Sequence, residues 1–477
     1  MKFLLDTNIL IPLEPSAVDE FEATSGAAAE FVRLASSGPH QLYRHPASND
    51  DFARDPNDSR RSARTRLLQK YSLLRGPPAT PAEWQDAVGQ PEPGSNEWVD
   101  NQLLAAVGRN AVDYLVTEDL GIHRKSRRLG IDGCVLTLGD ALATLRALYI
   151  AIPSARPGVE RIQAHQIDEK DPFFESFRRD YSEFDAWLRK CKKQHRLAWV
   201  VSDHEGLQAL ALIKADPTKV IGEDKALKLC TFKVAERARG YRYGELLLKS
   251  VFDFAFQNAL SSIYVTAFEK HEALVNLFEE FGFEHAGEKE ATGEWILSKA
   301  LGPRANTDGL SSFSYNLRYG PAAICPHSSN FFVVPIRPEY HDALFPGLAA
   351  QTSLLHLQKP CANGIRKAYL CHSPTKKLAS GDTLLFYRSK DWQAVRVIGV
   401  VEETLRSSDA DTIARFVGQK TVFGVSRIAE MCKKREVLAV NFRHAFELDD
   451  RVALDRLVSN AVPKGPPNSI TQTRDSG

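Results

Sequence analysis

Asp6, Asp51, Asp100 and Asp119 are the residues whose type and placing point most directly to chemistry. Asp6 ends the apolar run Phe3-Leu4-Leu5, and Asp51 follows the helix-opening stretch His45-Pro46-Ala47-Ser48-Asn49. Asp100 heads Asn101-Gln102-Leu103-Leu104, and Asp119 comes directly after the strand-like run 114–117. A strand ending in a carboxylate delivers it to the carboxyl edge of a sheet, where open α/β sheets place their ligands. Several carboxylates gathered there suit Mg²⁺ or Mn²⁺, which prefer hard oxygen donors. Such an ion generates hydroxide from water and stabilises the leaving oxygen of a phosphodiester. Each acid taken alone is more simply a helix N-cap or a solvated side chain. The ordered set of four is what speaks for a site.

A second stretch suits anion binding. The strand-like run 227–234 leads into a turn holding Gly240 and Gly244, and an apolar helix opens there. Main-chain N–H groups at such a turn, helped by the helix dipole, suit a pyrophosphate. A third feature lies between Lys359 and Arg435, where 15 basic and seven acidic residues are interleaved with Tyr369, Phe386, Tyr387, Trp392 and Phe423. Positive side chains bind phosphates and aromatic faces stack on unpaired bases. Strand aromatics are nevertheless more often core than platform. Residues 54–75 add seven basic side chains against two acids, a stripe that suits phosphate or is a solvated helix face.

Three groups of elements must position these residues. The chain has 477 residues, which predicts about three domains. It carries 61 basic against 60 acidic residues, so it is no basic nucleic-acid coat, and 43% hydrophobic content excludes wholesale disorder. Residues 1–150 carry 16 basic and 20 acidic side chains, whereas 316–477 carry 22 and 15, so the chain ends basic. Strands near 3–5, 114–117 and 135–138 alternating with helical patterns predict a parallel α/β domain over 1–150. A long helix over 172–192, strands at 197–202, 207–213, 227–234 and 262–267, and helices at 244–257 and 272–281 predict a mixed sheet over 155–302. Strands at 331–336, 368–371, 383–387, 394–401 and 437–442 predict a small β-barrel over 315–460, with 461–477 a disordered tail. Seven scattered cysteines without CxxC argue against a disulfide framework. No apolar run spans a membrane and Asp6 interrupts the start, so no membrane partner and a cytoplasmic location are expected.

Residues 1–150 resemble the PIN domain nucleases, through the opening FLLDTNIL, the Asp100-led helix and the Thr117-Glu118-Asp119 strand end. The resemblance implies a Mg²⁺- or Mn²⁺-dependent ribonuclease site with Asp6, Asp51, Asp100 and Asp119 as ligands or base and Thr117 in support. Either Asp50 or Asp51 fills the second position. PIN domains also make an antagonist protein partner conceivable.

Residues 158–300 resemble the GNAT acyltransferases, through Arg239 and Gly244 of the loop and the run 264–283 ending in Gly282-Phe283. That resemblance implies acetyl-coenzyme A held by Phe232, Lys233, Val234, Arg239, Gly240, Tyr241, Arg242, Tyr243 and Gly244. Arg242 stands where the family has a glycine, and Phe278 where a general-acid tyrosine commonly sits; phenylalanine cannot protonate a thiolate. Glu236 and His271 are candidate bases. Residues 316–455 resemble the ASCH and PUA-like RNA-binding domains, through 363–370, 380–387 and 418–423. That implies an RNA groove involving Arg366, Lys367, Lys376, Lys377, Arg388 and Lys420.

The expectation is therefore an α/β and α+β multidomain protein directed at RNA. It joins a PIN-like nuclease, a GNAT-like mixed sheet that uses acyl-coenzyme A on an unidentified acceptor, and a PUA-like barrel. Two alternatives stay open: an N-acetyltransferase whose flanking domains only recruit an RNA or protein substrate, and a non-enzymatic RNA-binding regulator.

Overall fold

Phe3, Leu4 and Leu5 are all fully buried, and they show how the first sheet is built. Phe3 and Leu5 face one apolar cluster with Ile9, Phe31 and Leu145, whereas Leu4 faces another with Val99, Leu103 and Ile122. Alternation sends successive side chains to opposite faces, and burial on both is what a parallel strand between helical layers requires. The computed structural model describes residues 1–13, 25–36, 38, 40–49, 61, 68–149, 158–216, 225–238, 241–289, 292–304, 309–325, 329–346, 364–459 and 465–473. The chain divides into two compact units, Met1–Ala151 and Ile152–Gly477.

In the first unit the strands β1 (Lys2–Leu5), β2 (Gln41–Arg44), β3 (Ser72–Leu73), β4 (Tyr114–Val116) and β5 (Val135–Leu136) form a parallel sheet ordered β3-β2-β1-β4-β5. The helices around it include α1 (Thr7–Leu13), α2 (Ser25–Ser36), α3 (Asn96–Gly108), α4 (Leu120–Arg128) and α5 (Leu138–Tyr149). Strand order reverses between β1 and β4, which makes their carboxyl ends the switch point of the sheet.

The second unit holds two sheets. One comprises β6 (Glu160–Gln163), β7 (Leu197–Asp203), β8 (Gly206–Asp216), β9 (Ala226–Val234), β10 (Ser262–Ala267), β11 (Glu284–Lys289) and β12 (Glu294–Ala300), ordered β11-β12-β10-β9-β8-β7-β6. Only β9 and β10 run parallel in it. The single helix expected over 172–192 is a 3₁₀ turn Pro172–Phe174 followed by α6 (Glu175–Asp180) and α7 (Phe184–Lys193). Tyr181 takes an extended conformation (φ −133°, ψ 104°) that ends α6, and Phe174, Phe177 and Phe184 fold the pieces around one aromatic cluster. Helices α8 (Tyr243–Gln257) and α9 (Glu272–Glu280) follow β9 and β10.

After α10 (Ser312–Tyr319), the last sheet contains β13 (Phe331–Ile336), β14 (Arg366–Cys371), β15 (Thr383–Arg388), β16 (Ala394–Ser407), β17 (Val437–Ala453) and β18 (Thr471–Gln472), with α11 (Pro338–Leu344), α12 (Ala410–Val417) and α13 (Val425–Lys434) beside it. Its order is β14-β17-β16-β15-β13-β18. The expected barrel is thus not closed among the described residues. A single bridge from Ala368 to Thr421 meets the outer side of β14, and the cluster joining α12 and α13 to Leu370 and Ala439 covers it. The tail expected to be disordered carries β18, which pairs with Phe332 and Val333, and Ile470 is buried beside it. Among the described residues no helix is long and apolar enough to cross a membrane.

Candidate functional site

Asp6 and Asp119 stand at the ends of the adjacent strands β1 and β4, and Thr117 connects them. The Thr117 hydroxyl donates to Asp6 Oδ2 at 2.6 Å and accepts from the Asp119 main-chain N–H at 2.9 Å. Asp6 Oδ1 accepts the Thr7 N–H at 2.6 Å, and Asn8 Nδ2 donates to Thr117 Oγ1 at 3.1 Å. Asp119 also caps α4, accepting from the Ile122 N–H. Burial pushes the Asp6 carboxyl up, against the Thr117 and Thr7 hydrogen bonds, and the neighbouring Asp119 adds to the rise. Asp100 on α3 is pushed up to about 6, by burial first, with Asp119 and Asp6 adding and Lys125 opposing. Three of the four expected acids therefore share one electrostatic neighbourhood.

Asp51 and its alternative Asp50 lie outside the described residues, as do Arg54, Arg60, Arg64 and Arg66 of the basic stripe. Among the described residues no group of three or more His, Cys, Asp or Glu is close enough to hold a metal ion. The nearby positive charge is Lys125, whose ammonium lies 3.5 Å from Asp100 and donates to Asn101 Oδ1 at 3.1 Å. The described donors thus do not by themselves fit a divalent cation.

In the second unit the feature that forms a slot is the parting of two strands. β9 and β10 pair only from Ala226/Ser262 to Leu229/Val265. β9 continues against β8 to Val234, and β10 against β12 to Ala267, so the two diverge toward their carboxyl ends. The segment 172–181 roofs this opening. Lys233 near the end of β9 donates to the Phe173 carbonyl and to Ser176 Oγ (2.7 Å), with its ammonium over the Phe173 and Phe177 rings. At the end of β10, Asp180 bonds Lys270 at 2.7 Å and approaches His271 at 3.5 Å.

The glycine turn differs from its sequence reading. Arg239 and Gly240 lie outside the described residues. Gly244 leaves room for the Leu277 side chain: a Cβ there would come within 2.8 Å of Leu277 and 3.7 Å of Val234. Arg242 precedes α8 in a left-handed conformation (φ 59°) and turns away to the buried Glu245, 2.7 Å distant. It also donates to the Arg366 carbonyl at 2.7 Å, while the Arg366 N–H donates to Glu245. Burial alone would raise the Glu245 carboxyl; Arg242 and Arg366 outweigh it and hold it at about 2. Phe278 is fully buried between Phe232 and Phe283, so that position carries core packing rather than a proton donor.

Of the six basic residues expected to line an RNA groove, only Lys376 and Lys377 are exposed. Lys367 is 1% exposed and donates to the Leu344 carbonyl at the end of α11. Arg388 is buried against Asp342 and Asp391, and Arg366 pairs with Glu245 and Glu280. Lys420 lies beside Glu402, and burial lowers its ammonium pKa. A basic count along strands does not separate solvated lysines from paired ones, and here most of the groups that engage them, Asp391 excepted, come from distant elements. Tyr181, whose hydroxyl donates to Glu294 at the start of β12, escaped the sequence reading because residues 172–192 read as one continuous helix.

Residues 161–283 match the family model described as Acetyltransferase (GNAT) family, which assigns that segment to an acetyltransferase domain. None of the curated proteins matches the sequence. Similar solved structures include an IAA acetyltransferase from Bacillus cereus, 16% identical, covering 30% of this chain and 97% of its own with a TM-score of 0.24. Ard1 from Thermoplasma volcanium is 10% identical over 31% of this chain and 98% of its own, with a TM-score of 0.25. ASCH from Zymomonas mobilis is 15% identical over 30% of this chain and 88% of its own, with a TM-score of 0.24.

Proposed function

We propose that the mixed sheet of the second unit is an acyl-coenzyme A-dependent N-acyltransferase, working at the carboxyl ends of β9 and β10. The observation that carries this reading is the parting of two parallel strands beyond Leu229 and Val265. An extended chain bearing amides, such as the pantetheine arm, can lie along a strand edge as an added strand does. The first turn of α8, with Tyr243 and Gly244, supports the reading because a helix start favours phosphate. Acetyl-coenzyme A supplies the activated acyl group. On the protein side, Phe232 and Val234 wall the helix start, and His271 beside Asp180 offers a base at the mouth. Phe278 has no part in proton transfer. Titration of the protein with acetyl-coenzyme A, read by calorimetry and thermal shift, tests it: neither heat nor a shift removes the reading.

A second reading is favoured by one arrangement in the first unit. Asp6 and Asp119 end neighbouring strands at the switch point, with Asp100 in their field. This arrangement favours a PIN-type ribonuclease acting on RNA, whose cation would need a donor beyond these three acids. Incubation with total RNA and Mn²⁺ tests it. Cleavage should vanish in Asp6→Asn combined with Asp119→Asn, and cleavage surviving both changes removes the nuclease.

A further inference from the structure

His165 and His195 are 30 positions apart in the chain, and the fold brings their imidazoles together on its surface. Both residues are exposed. Their Nδ1 atoms lie 3.3 Å apart, with ring centroids at 5.2 Å and planes at 75°, so the rings meet through their nitrogens and do not stack. Two backbone features fix this approach. His165 stands in the 3₁₀ turn Ala164–Gln166 that ends β6, closed by reciprocal hydrogen bonds between Gln163 and Gln166. The Ala164 N–H donates to the Arg196 carbonyl at 2.8 Å, which ties that turn to the residue after His195. His195 lies just past the end of α7 in a left-handed conformation (φ 48°). Its N–H donates to the Lys192 carbonyl, and the Arg196 N–H to that of Cys191. Helices that end in this way usually place glycine at the left-handed position. An imidazole strains the backbone there, a cost tolerated where the side chain is used.

The spacing has a chemical meaning. At 3.3 Å the two nitrogens stand further apart than a good hydrogen bond between them requires. Zn²⁺ takes histidine nitrogens at about 2.0–2.1 Å in tetrahedral geometry, which sets two donors on one ion about 3.3 Å apart. The carboxyl end of α7 adds a field that favours a cation. Of the neighbouring cations, Lys192 is engaged by the Ile167 carbonyl and Arg196 by Gln194. We propose that His165 and His195 form a two-nitrogen chelate for a divalent transition cation of the Zn²⁺ class. Each ring gives its Nδ1 lone pair and keeps its proton on Nε2. The ion's other positions are open to water or to a donor from another molecule. The pair stands at the end of β6, the last strand of the mixed sheet and three places from β9, so the site is independent of the acyltransferase reading.

The experiment titrates the full chain, free of any affinity tag, with Zn²⁺ in a calorimeter. His195→Gly suits the left-handed backbone and should fold at least as well as wild type, so it isolates the loss of the ring. His165→Ala removes the other ring from an exposed turn. Either change should weaken Zn²⁺ binding by at least about tenfold, because in wild type the second imidazole binds as an intramolecular donor. The double variant should lose little more than either single one, which marks a chelate. His204→Ala, in the exposed turn between β7 and β8, should bind Zn²⁺ as wild type does. Equimolar Cu²⁺ gives a second readout, since its electron spin resonance should show coupling to two imidazole nitrogens in wild type and to fewer in His195→Gly. Zn²⁺ affinity unchanged in both His195→Gly and His165→Ala, or an equal loss in His204→Ala, overturns the proposal and leaves a hydrogen-bonded pair.

Discussion

Arg242 and Glu245 sit one helical turn apart, and their 2.7 Å ion pair is nearly closed off from water. Glu245 is 2% exposed and also accepts the Arg366 N–H, so the start of α8 is fastened to β14. Burying two charges is costly, and only full pairing makes it tolerable. Removing Arg242 leaves Glu245 to Arg366 alone, and removing Glu245 leaves both guanidiniums without their shared carboxylate.

Glu245→Gln should therefore lower the stability of the second unit by about 3 kcal/mol at neutral pH. The pH dependence has a definite sign. The folded carboxyl titrates at about 2 and the ordinary value is 4.5, so the pair's contribution is complete above about 4.5. It fades as the pH falls from there toward 2. Urea unfolding of wild type and variant across pH 3–7 checks it: the two curves should converge as the solution becomes acidic.

Arg242→Gly separates two opposed effects. A left-handed conformation costs an ordinary residue about 1 kcal/mol, which glycine recovers. Losing Arg242 leaves Glu245 with Arg366 alone and costs about 2–3 kcal/mol, so the variant should be destabilised on balance. Because the guanidinium is engaged by Glu245, acetyl-coenzyme A binding in the folded variant should change little. Melting curves and titration together read both outcomes.

Phe278→Tyr restores the phenol that the acyltransferase resemblance leads one to expect there. The side chain is fully buried among Phe232 and Phe283, so the added hydroxyl would lack a partner. A cost of about 1–3 kcal/mol is expected, with no gain in acyl transfer. Thermal unfolding and thiol release from acetyl-coenzyme A measure the two effects.

Thr117→Val tests the junction of the first sheet. It removes the hydroxyl that donates to Asp6 and accepts from the Asp119 N–H, at nearly constant shape. A loss of about 1–3 kcal/mol in the first unit is expected from the unpaired buried groups. Hydrogen exchange at the Asp119 amide should quicken, which reports the local change directly.

For the third sheet, replacing Lys376 and Lys377 with Ala should reduce the slope of RNA binding against salt by about two, if RNA is bound there. Lys367→Met should leave that slope unchanged, because its ammonium is spent on the Leu344 carbonyl. Filter binding at several salt concentrations distinguishes them.

Strands 262–267 and 331–336 coincide residue for residue with their sequence reading, because each is a short apolar run between clear turn signals. The acids at strand ends were legible for a similar reason, since a strand's last residue has little choice of edge. Tertiary pairing was not legible. Nothing local shows that Arg366 meets Glu245, 121 positions away, or that Tyr181 leaves its helix to reach Glu294. The open third sheet was hidden likewise, because whether β14 finds a closing partner depends on α12, α13 and Thr421 rather than on its own residues.

Thr471 and Gln472 lie along the rim of β13, a six-residue strand whose own side chains are almost all apolar. Two residues of chain are thus the shield between that rim and its counterpart on a neighbouring molecule. Trimming the protein ahead of Ile470 would bare it, so shortened versions should self-associate through strand addition.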